Sequence, residues 1–337
     1  MGLDVARPGG ADLESLILRA LDRRQGLIER LSREDTNTYR IFHGTVEGSP
    51  GLTIDRYGEQ IMVQSFHGPL ASRDLDIIQG CVEGALGFEP QMVYHDRRDG
   101  VARCEPAGRM VERECRELGV RYFVVDEHQG QDPLLFLDFR AARRFMLAKS
   151  HGLAVLNLFA YTCGIGVCAA VGGAREVCNV DFSATYLNFG YQNACLNKIL
   201  PVMEFIPEDV FLVLRQFAGL PVRRHGKRRS YTRRQPRQFD LVVMDPPSLA
   251  RSAFGTVDLV RDYQSIFKPA LLATRAGGRV LCTNHVPAVG LDNWLESLRR
   301  CAVKAGRPVR SIEVIPPEED FPSPDGCHPL KMAVMEV

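Results

Sequence analysis

The sequence predicts an α/β protein in which a Rossmann-like, doubly wound domain of seven strands follows a small α/β domain. Two observations carry this. From about residue 150 onward, short apolar runs alternate with helical stretches, the pattern of a parallel sheet covered on both faces. Between about 36 and 100, strand-like runs instead lie close together, separated by turn clusters such as Glu47-Gly48-Ser49-Pro50-Gly51.

Taken in order, residues 1–10 read as a tail. Leu13, Leu16, Ile17, Leu21, Ile28 and Leu31 recur at helical spacing, so 12–33 is an amphipathic helix, somewhat weakened by Gly26. Tyr39 to His43 is a strand. Residues 52–56 and 60–66 flank Tyr57-Gly58-Glu59 as a hairpin. A helix over 72–87, a strand from Gln91 to His95, and a strand pair near 109–115 and 121–126 leading to the next domain complete this part. The seven later strands are placed at Ala154–Leu158, Glu176–Asp181, Val202–Ile206, Leu241–Asp245, Arg279–Thr283, Ser311–Ile315 and Lys331–Val337. The expected division is a tail and helix over 1–35, a small domain over 36–130 and the large domain over 131–337.

Composition excludes several classes. With 45% hydrophobic residues, 25% charged residues and a net charge of +1, the chain is an ordinary globular protein without a global attraction for polyanions. None of the ten cysteines forms a Cys-x-x-Cys pair and no histidine cluster completes a zinc pattern, so neither a disulfide framework nor a metal is expected. No apolar run nears the ~20 residues of a membrane span, and the first ten residues lack signal-peptide character. A soluble, cytoplasmic protein is expected. The exception to neutrality is Pro221 to Arg237, which holds Arg223, Arg224, Lys227, Arg228, Arg229, Arg233, Arg234 and Arg237 without apolar periodicity. It reads as a loop whose cations suit phosphates, or as a solvated loop with no partner.

Two motifs carry chemistry. Asn157-Leu158-Phe159-Ala160-Tyr161-Thr162-Cys163-Gly164-Ile165-Gly166 is a buried strand entering a glycine-containing turn and then a helix. Gly164 and Gly166 allow a ligand to approach the backbone, and Asp181 ends the next strand, where a carboxylate can accept ribose hydroxyls. Gly164 to Ala169 also satisfies a dinucleotide fingerprint, so a hydride-transfer enzyme competes at this point. The second motif, Asp245-Pro246-Pro247 at the end of an apolar strand, decides against it. Prolines hold the backbone rigid, and Asp245 can accept a hydrogen bond from a base, an element a dehydrogenase does not need. Asp209-Val210 follows the third strand, where an acid can hold an adenine amino group or simply cap a helix.

With these residues quoted, the chain resembles the bacterial large-subunit ribosomal RNA methyltransferases that include 5-methylcytosine and 7-methylguanine enzymes. The resemblance runs from about residue 39 to the end, through Gly51-Leu52-Thr53-Ile54-Asp55-Arg56-Tyr57-Gly58, Phe136-Leu137-Asp138-Phe139-Arg140-Ala141-Ala142-Arg143, Asn157 to Thr162, Asp181, Asn193, Asn197, Asp209 and Asp245-Pro246-Pro247. It implies a seven-stranded class I methyltransferase domain, S-adenosylmethionine as cofactor, RNA as partner, and substrate recognition by the small domain. It further implies a cofactor site drawn from Asp138, Arg140, Asn157, Phe159, Thr162, Gly164, Gly166, Asp181, Phe182, Asn193, Asp209, Val210 and Asp245. Arg140 would pair with the cofactor carboxylate, or else be a surface arginine opening a helix.

The departures are informative. An N-terminal RNA-binding module carried by many relatives is replaced by the helix at 12–33, and Phe139 stands where the family has glutamine. After the fifth strand, cytosine-modifying relatives have Ser-Cys-Ser, and this chain has Asn284-His285-Val286. Carbon 5 of cytosine needs a thiolate to attack carbon 6, and Cys282 lies inside a strand where it reads as core. The expectation is therefore methylation of a nitrogen, with Asp245, Pro246, Pro247, Asn284 and His285 around the target base. Competing readings are a methyltransferase of protein or a small molecule, and a non-catalytic RNA-binding protein.

Overall fold

The computed structural model describes residues 10–98, 103–105, 112–125, 132–222, 231–252, 255–258 and 262–337. They form two compact units, one comprising residues 1–138 with 318–326 and the other 139–317 with 327–337.

In the first unit, helix α1 (Gly10–Arg33) precedes strands β1 (Thr38–Phe42), β2 (Leu52–Tyr57) and β3 (Gln60–Ser65), helix α2 (Ser72–Leu86), and strands β4 (Gln91–Asp96) and β5 (Arg103–Glu105). The five strands pair in chain order, antiparallel except for β3 with β4, which α2 connects in parallel. The β2–β3 turn closes Tyr57 onto Gln60, and Gly58 takes the left-handed φ of 69° that this two-residue connection requires. The apolar stripe of α1 (Leu13, Ile17, Leu21, Leu27 and Leu31) is buried against Tyr39, Ile41, Ile54, Ile61, Val63 and α2. A buried ion pair joins Arg24 on α1 to Glu47 at 2.6 Å, and the other Glu47 oxygen accepts the backbone N–H groups of His43 and Gly44.

A hairpin of β6 (Glu112–Glu117) and β7 (Val120–Val125) follows. The sequence reading leads this pair toward the next domain. Instead it bonds back to residues 35–37, through Asn37 N–H to Arg116 O at 2.9 Å and Leu118 N–H to Thr36 Oγ1 at 2.7 Å. Residues 318–326, far along the chain, also belong here: Asp320 accepts the Arg40 N–H at 3.0 Å and Phe321 lies 4.5 Å beneath the Arg40 guanidinium.

The second unit contains α3 (Arg140–Lys149), β8 (Ala154–Leu158), α4 (Gly164–Val171), β9 (Glu176–Asp181), α5 (Ala184–Leu196), β10 (Met203–Pro207), α6 (Val210–Phe217), β11 (Phe239–Met244), the hairpin β12 (Leu249–Ser252) with β13 (Gly255–Asp258), α7 (Gln264–Ala273), β14 (Thr274–Asn284), α8 (Leu291–Lys304), β15 (Ser311–Ile315) and β16 (Lys331–Glu336). Seven strands form one sheet in the order β10-β9-β8-β11-β14-β16-β15, parallel except for β16, which runs antiparallel to both neighbours. The chain reverses its direction of travel across the sheet between β8 and β11, where an open α/β sheet forms its ligand crevice. One face of the sheet packs Leu156, Leu158, Val242, Met244 and Cys282 against α6, α7 and α8. Three strands lie outside the sequence reading: β5, which has three residues, and the β12–β13 hairpin, which follows the proline pair. β14 also begins at Thr274 rather than Arg279. Among the described residues, no helix is long and apolar enough to cross a membrane, and no group of three His, Cys, Asp or Glu gathers as for a metal ion.

Candidate active site

The expected residues of the second unit collect at the carboxyl ends of β8, β9, β10, β11 and β14. The turn after β8 is unusual in backbone terms. Phe159, Tyr161 and Cys163 all take positive φ, at 56°, 49° and 61°. Left-handed backbone is costly for residues with a Cβ and persists where the surroundings over-determine it. Here they do. Tyr161 N–H bonds to Asp181 Oδ2 at 2.9 Å, and Asn193 on α5 donates to the Thr162 carbonyl at 3.1 Å. Phe159 packs edge-on to Phe211, and a side chain at Gly190 would collide with Cys163.

Asp181 is buried at the end of β9. One oxygen accepts Tyr161 N–H and the other accepts Ser183 N–H, both at 2.9 Å. Burial pushes its pKa above the ordinary carboxylate value, against the pull of backbone N–H groups from Ser183, Tyr161 and Phe182. Each carboxylate oxygen has a second lone pair. Phe182, the next residue, is 75% exposed. A buried two-oxygen acceptor beside an exposed aromatic ring fits a nucleoside, with the diol at the carboxylate and the base on the ring.

Several expected cofactor residues have partners within the fold. Asn157 is buried and donates to Asn179 Oδ1 at 3.0 Å; Asn179 in turn donates to the Glu204 carbonyl at 3.2 Å. A Cβ at Gly166 would strike Asn179 Oδ1 and lie 3.3 Å from Asn157 Nδ2, so this glycine makes room for a buried amide pair. Asn193 braces the Thr162 carbonyl. Val210 belongs to the core under α6. Asp209 caps α6, accepting Phe211 N–H at 2.9 Å. Arg140 is not a surface residue: it is fully buried at the start of α3, as is Arg143 one turn on. Asp138 falls in the first unit, on a short 3₁₀ turn.

The end of β11 carries the most concentrated polar geometry. The register sets Met244 beside Cys282, which brings Asp245 alongside Thr283. Strand alternation places Thr283 and His285 on one face and Cys282 on the other. Asp245 Oδ1 accepts the Thr283 hydroxyl and lies 2.6 Å from His285 Nε2. Burial acts to raise the Asp245 pKa. The His285 charge, the hydrogen bonds from His285 and Thr283, and the Arg143 charge overcome it and hold the carboxyl below its ordinary value. Asn284 Oδ1 accepts Val286 N–H at 2.9 Å, and the Lys331 ammonium donates to the Val286 carbonyl at 2.9 Å, fixing the turn that bears His285. Cys282 is fully buried beside Tyr263, and burial pushes its thiol far up.

Thr283, Arg143 and Lys331 are absent from the sequence reading. The two-residue spacing of Thr283 and His285 is a signal for the first; Arg143 and Lys331 arrive only through tertiary structure. Of the basic segment, residues 223–230 lie outside the described residues, including Arg223, Arg224, Lys227, Arg228 and Arg229. Arg233 is exposed. Arg234 lies 3.4 Å from Glu208, and Arg237 bonds Glu176 at 2.6 Å and Glu204 at 3.0 Å, so these two are engaged by carboxylates.

The model of the S-adenosylmethionine-dependent methyltransferase family matches residues 91–335. The chain belongs to this family. Its cofactor is S-adenosylmethionine, which supplies an activated methyl group. Among curated proteins, this methyltransferase is 28% identical to ribosomal RNA large subunit methyltransferase I of Shigella flexneri over 318 residues, covering 90% of this chain and 75% of that one. The Citrobacter koseri protein of the same name is also 28% identical, over 317 residues. Among solved structures, a Streptococcus mutans protein described as a SAM-dependent methyltransferase superposes with a TM-score of 0.77 at 19% identity, covering 100% of this chain and 82% of that one. The SAM-dependent methyltransferase of Agrobacterium tumefaciens gives 0.60 at 17% identity, over 90% of each chain. The seven-stranded methyltransferase fold read from the sequence is thus the fold observed.

Proposed function

We propose that this methyltransferase modifies a nitrogen of a base in large-subunit ribosomal RNA, in the cytoplasm. The RNA class is supported by the relatives named ribosomal RNA large subunit methyltransferase I, which span most of the chain. The observation that carries the choice of nitrogen is the constellation at the end of β11. Where a carbon methylation would need a thiolate, the chain has His285 bonded to Asp245, and the neighbouring thiol, Cys282, is on the opposite face of the sheet. A ring or amino nitrogen needs no covalent activation.

In this reading Asp181 holds the ribose and Phe182 the adenine of the cofactor, with Asp209 nearby and Asp138 and Arg140 toward its amino-acid end. Pro246, Pro247, Asn284 and His285 border the target base, which must leave its stack to arrive there. The small domain over 36–130 recognises the RNA, and the cations from Arg223 to Arg233 contact phosphates, which would give binding a steep salt dependence. Nucleoside mass spectrometry of ribosomal RNA, from cells with and without the protein, tests the function: a methylated nitrogen that disappears with the protein is expected. Methyl transfer by Cys282→Ala should persist. A 5-methylcytosine product lost in Cys282→Ala would overturn the choice of atom, and unchanged ribosomal RNA would overturn the substrate.

A further inference from the structure

The contact between His285 and Asp245 has a definite proton arrangement. An ionised carboxylate only accepts hydrogen bonds, and Asp245 is held ionised by its surroundings. The 2.6 Å approach of His285 Nε2 to Asp245 Oδ1 therefore requires a proton on Nε2. The Thr283 hydroxyl donates to the same carboxylate oxygen, so it does not supply that proton. In a neutral ring the remaining lone pair is then on Nδ1, and the side chain is 42% exposed. A carboxylate that fixes the tautomer of a histidine also stabilises the imidazolium once a second proton arrives. The rest of the surroundings hold the ring still. Lys331 on β16 secures the Val286 carbonyl, and Tyr263 secures the Thr283 carbonyl at 2.9 Å. The charged and titratable groups around the pair are accordingly Asp245 from β11, Arg143 from α3, Lys331 from β16 and Tyr263 ahead of α7.

We propose that His285 is the catalytic base of this site, that Asp245 is its positioning residue, and that the substrate atom is a nitrogen bearing a proton, namely a ring imino or exocyclic amino nitrogen. This rests on the reading of the protein as a nitrogen-directed RNA methyltransferase and narrows it. An atom such as guanine N7 carries no proton and gives a base nothing to remove. At an imino or amino nitrogen the balance is complete. The nitrogen lone pair forms a bond to the methyl carbon, the bond from that carbon to sulfur breaks with its electron pair left on sulfur, and the N–H proton passes to His285 Nδ1. The imidazolium, paired with Asp245, then releases the proton to water.

The test uses the full chain. The imidazole of His285 is titrated by nitrogen-resolved NMR in wild type and Asp245→Asn, and kcat is measured against pH on ribosomal RNA. The expected neutral tautomer carries its proton on Nε2, and Asp245→Asn lowers the titration midpoint by about 1–3 pH units. The acid limb of kcat moves with that midpoint. His285→Gln should lower kcat by about 100-fold or more while S-adenosylhomocysteine affinity, read by calorimetry, stays within about twofold. A midpoint identical in wild type and Asp245→Asn, full activity in His285→Gln, or a 7-methylguanine product would overturn the proposal. Failure of wild type to methylate any ribosomal RNA would instead defeat the substrate reading, and the titration would still decide the histidine–carboxylate pair.

Discussion

Gly166→Ala separates two roles for a glycine in the first motif. If Gly166 serves ligand approach, alanine should damage cofactor binding and spare the fold. The structure gives the opposite expectation. The new methyl group would meet Asn179 Oδ1 inside contact distance and Asn179 Cγ at 3.0 Å. The end of a side chain can often move aside, but this one is held by Asn157 and by the Glu204 carbonyl. Displacing it costs two buried hydrogen bonds at about 1 kcal/mol each, with overpacking of about 1–3 kcal/mol. Alanine's better helix propensity returns about 1 kcal/mol. The net loss is about 2–3 kcal/mol, or roughly 5–10 °C in the melting temperature of a unit this size. Thermal unfolding reads the loss, and calorimetry with S-adenosylhomocysteine reads binding. The double variant Gly166→Ala/Asn179→Ala should be more stable than Gly166→Ala alone, because the obstructing amide is gone. An unchanged melting temperature with abolished cofactor binding would refute the packing argument.

Asp181→Ala should weaken S-adenosylhomocysteine binding by about 1.5–3 kcal/mol, the worth of charge-assisted hydrogen bonds; unchanged affinity in a folded variant would remove Asp181 from the site. Arg24→Ala leaves Glu47 buried and unpaired, so unfolding of the first unit should become easier by about 3–5 kcal/mol, while replacing both partners by Met and Leu should cost far less; denaturant midpoints compare the two. Asp245 has a folded pKa below its ordinary value of 3.8, so its contribution to stability is full above ~pH 4 and is lost as pH falls through the lower folded value. Asp245→Asn should therefore be less stable at neutral pH and show a shallower acid limb in stability against pH, measured by denaturant titration; an unchanged limb would show that the pairing with His285 and Thr283 is energetically silent.

What the sequence makes legible follows from local physics. The helix at 12–33 is visible because burying one stripe imposes a 3.6-residue period on its apolar residues. The strands ending in Asp181 and Asp245 are visible because a doubly covered sheet demands continuous apolar runs. What escapes is set by register and by distant partners. Asn157 and Gly166 look like ligand residues until Asn179, from the neighbouring strand, fills the space between them. Thr283 joins Asp245 only because β14 pairs with β11 at a particular register. Arg143 reads as one more helix arginine until its burial puts its charge to bear on a carboxylate about a hundred residues later. The three-residue β5 and the β12–β13 hairpin lack the length and alternation that make a strand stand out.

The detour of residues 318–326 has a consequence for the order in which the molecule can be completed. The first unit is begun by the first residues to be synthesised, yet the acceptor for the Arg40 N–H and the ring beneath its guanidinium come from Asp320 and Phe321, almost at the end of the chain. Synthesis at about 5–20 residues per second imposes a wait of roughly fifteen seconds or more between the two. During that interval the growing chain must carry an early sheet with one of its arginines unsatisfied, and the last segment must find it after the catalytic sheet has largely been made. Translation pausing late in the message, or a circularly permuted gene that brings Asp320 and Phe321 ahead of β1, would alter the yield of folded protein without changing one contact of the finished structure.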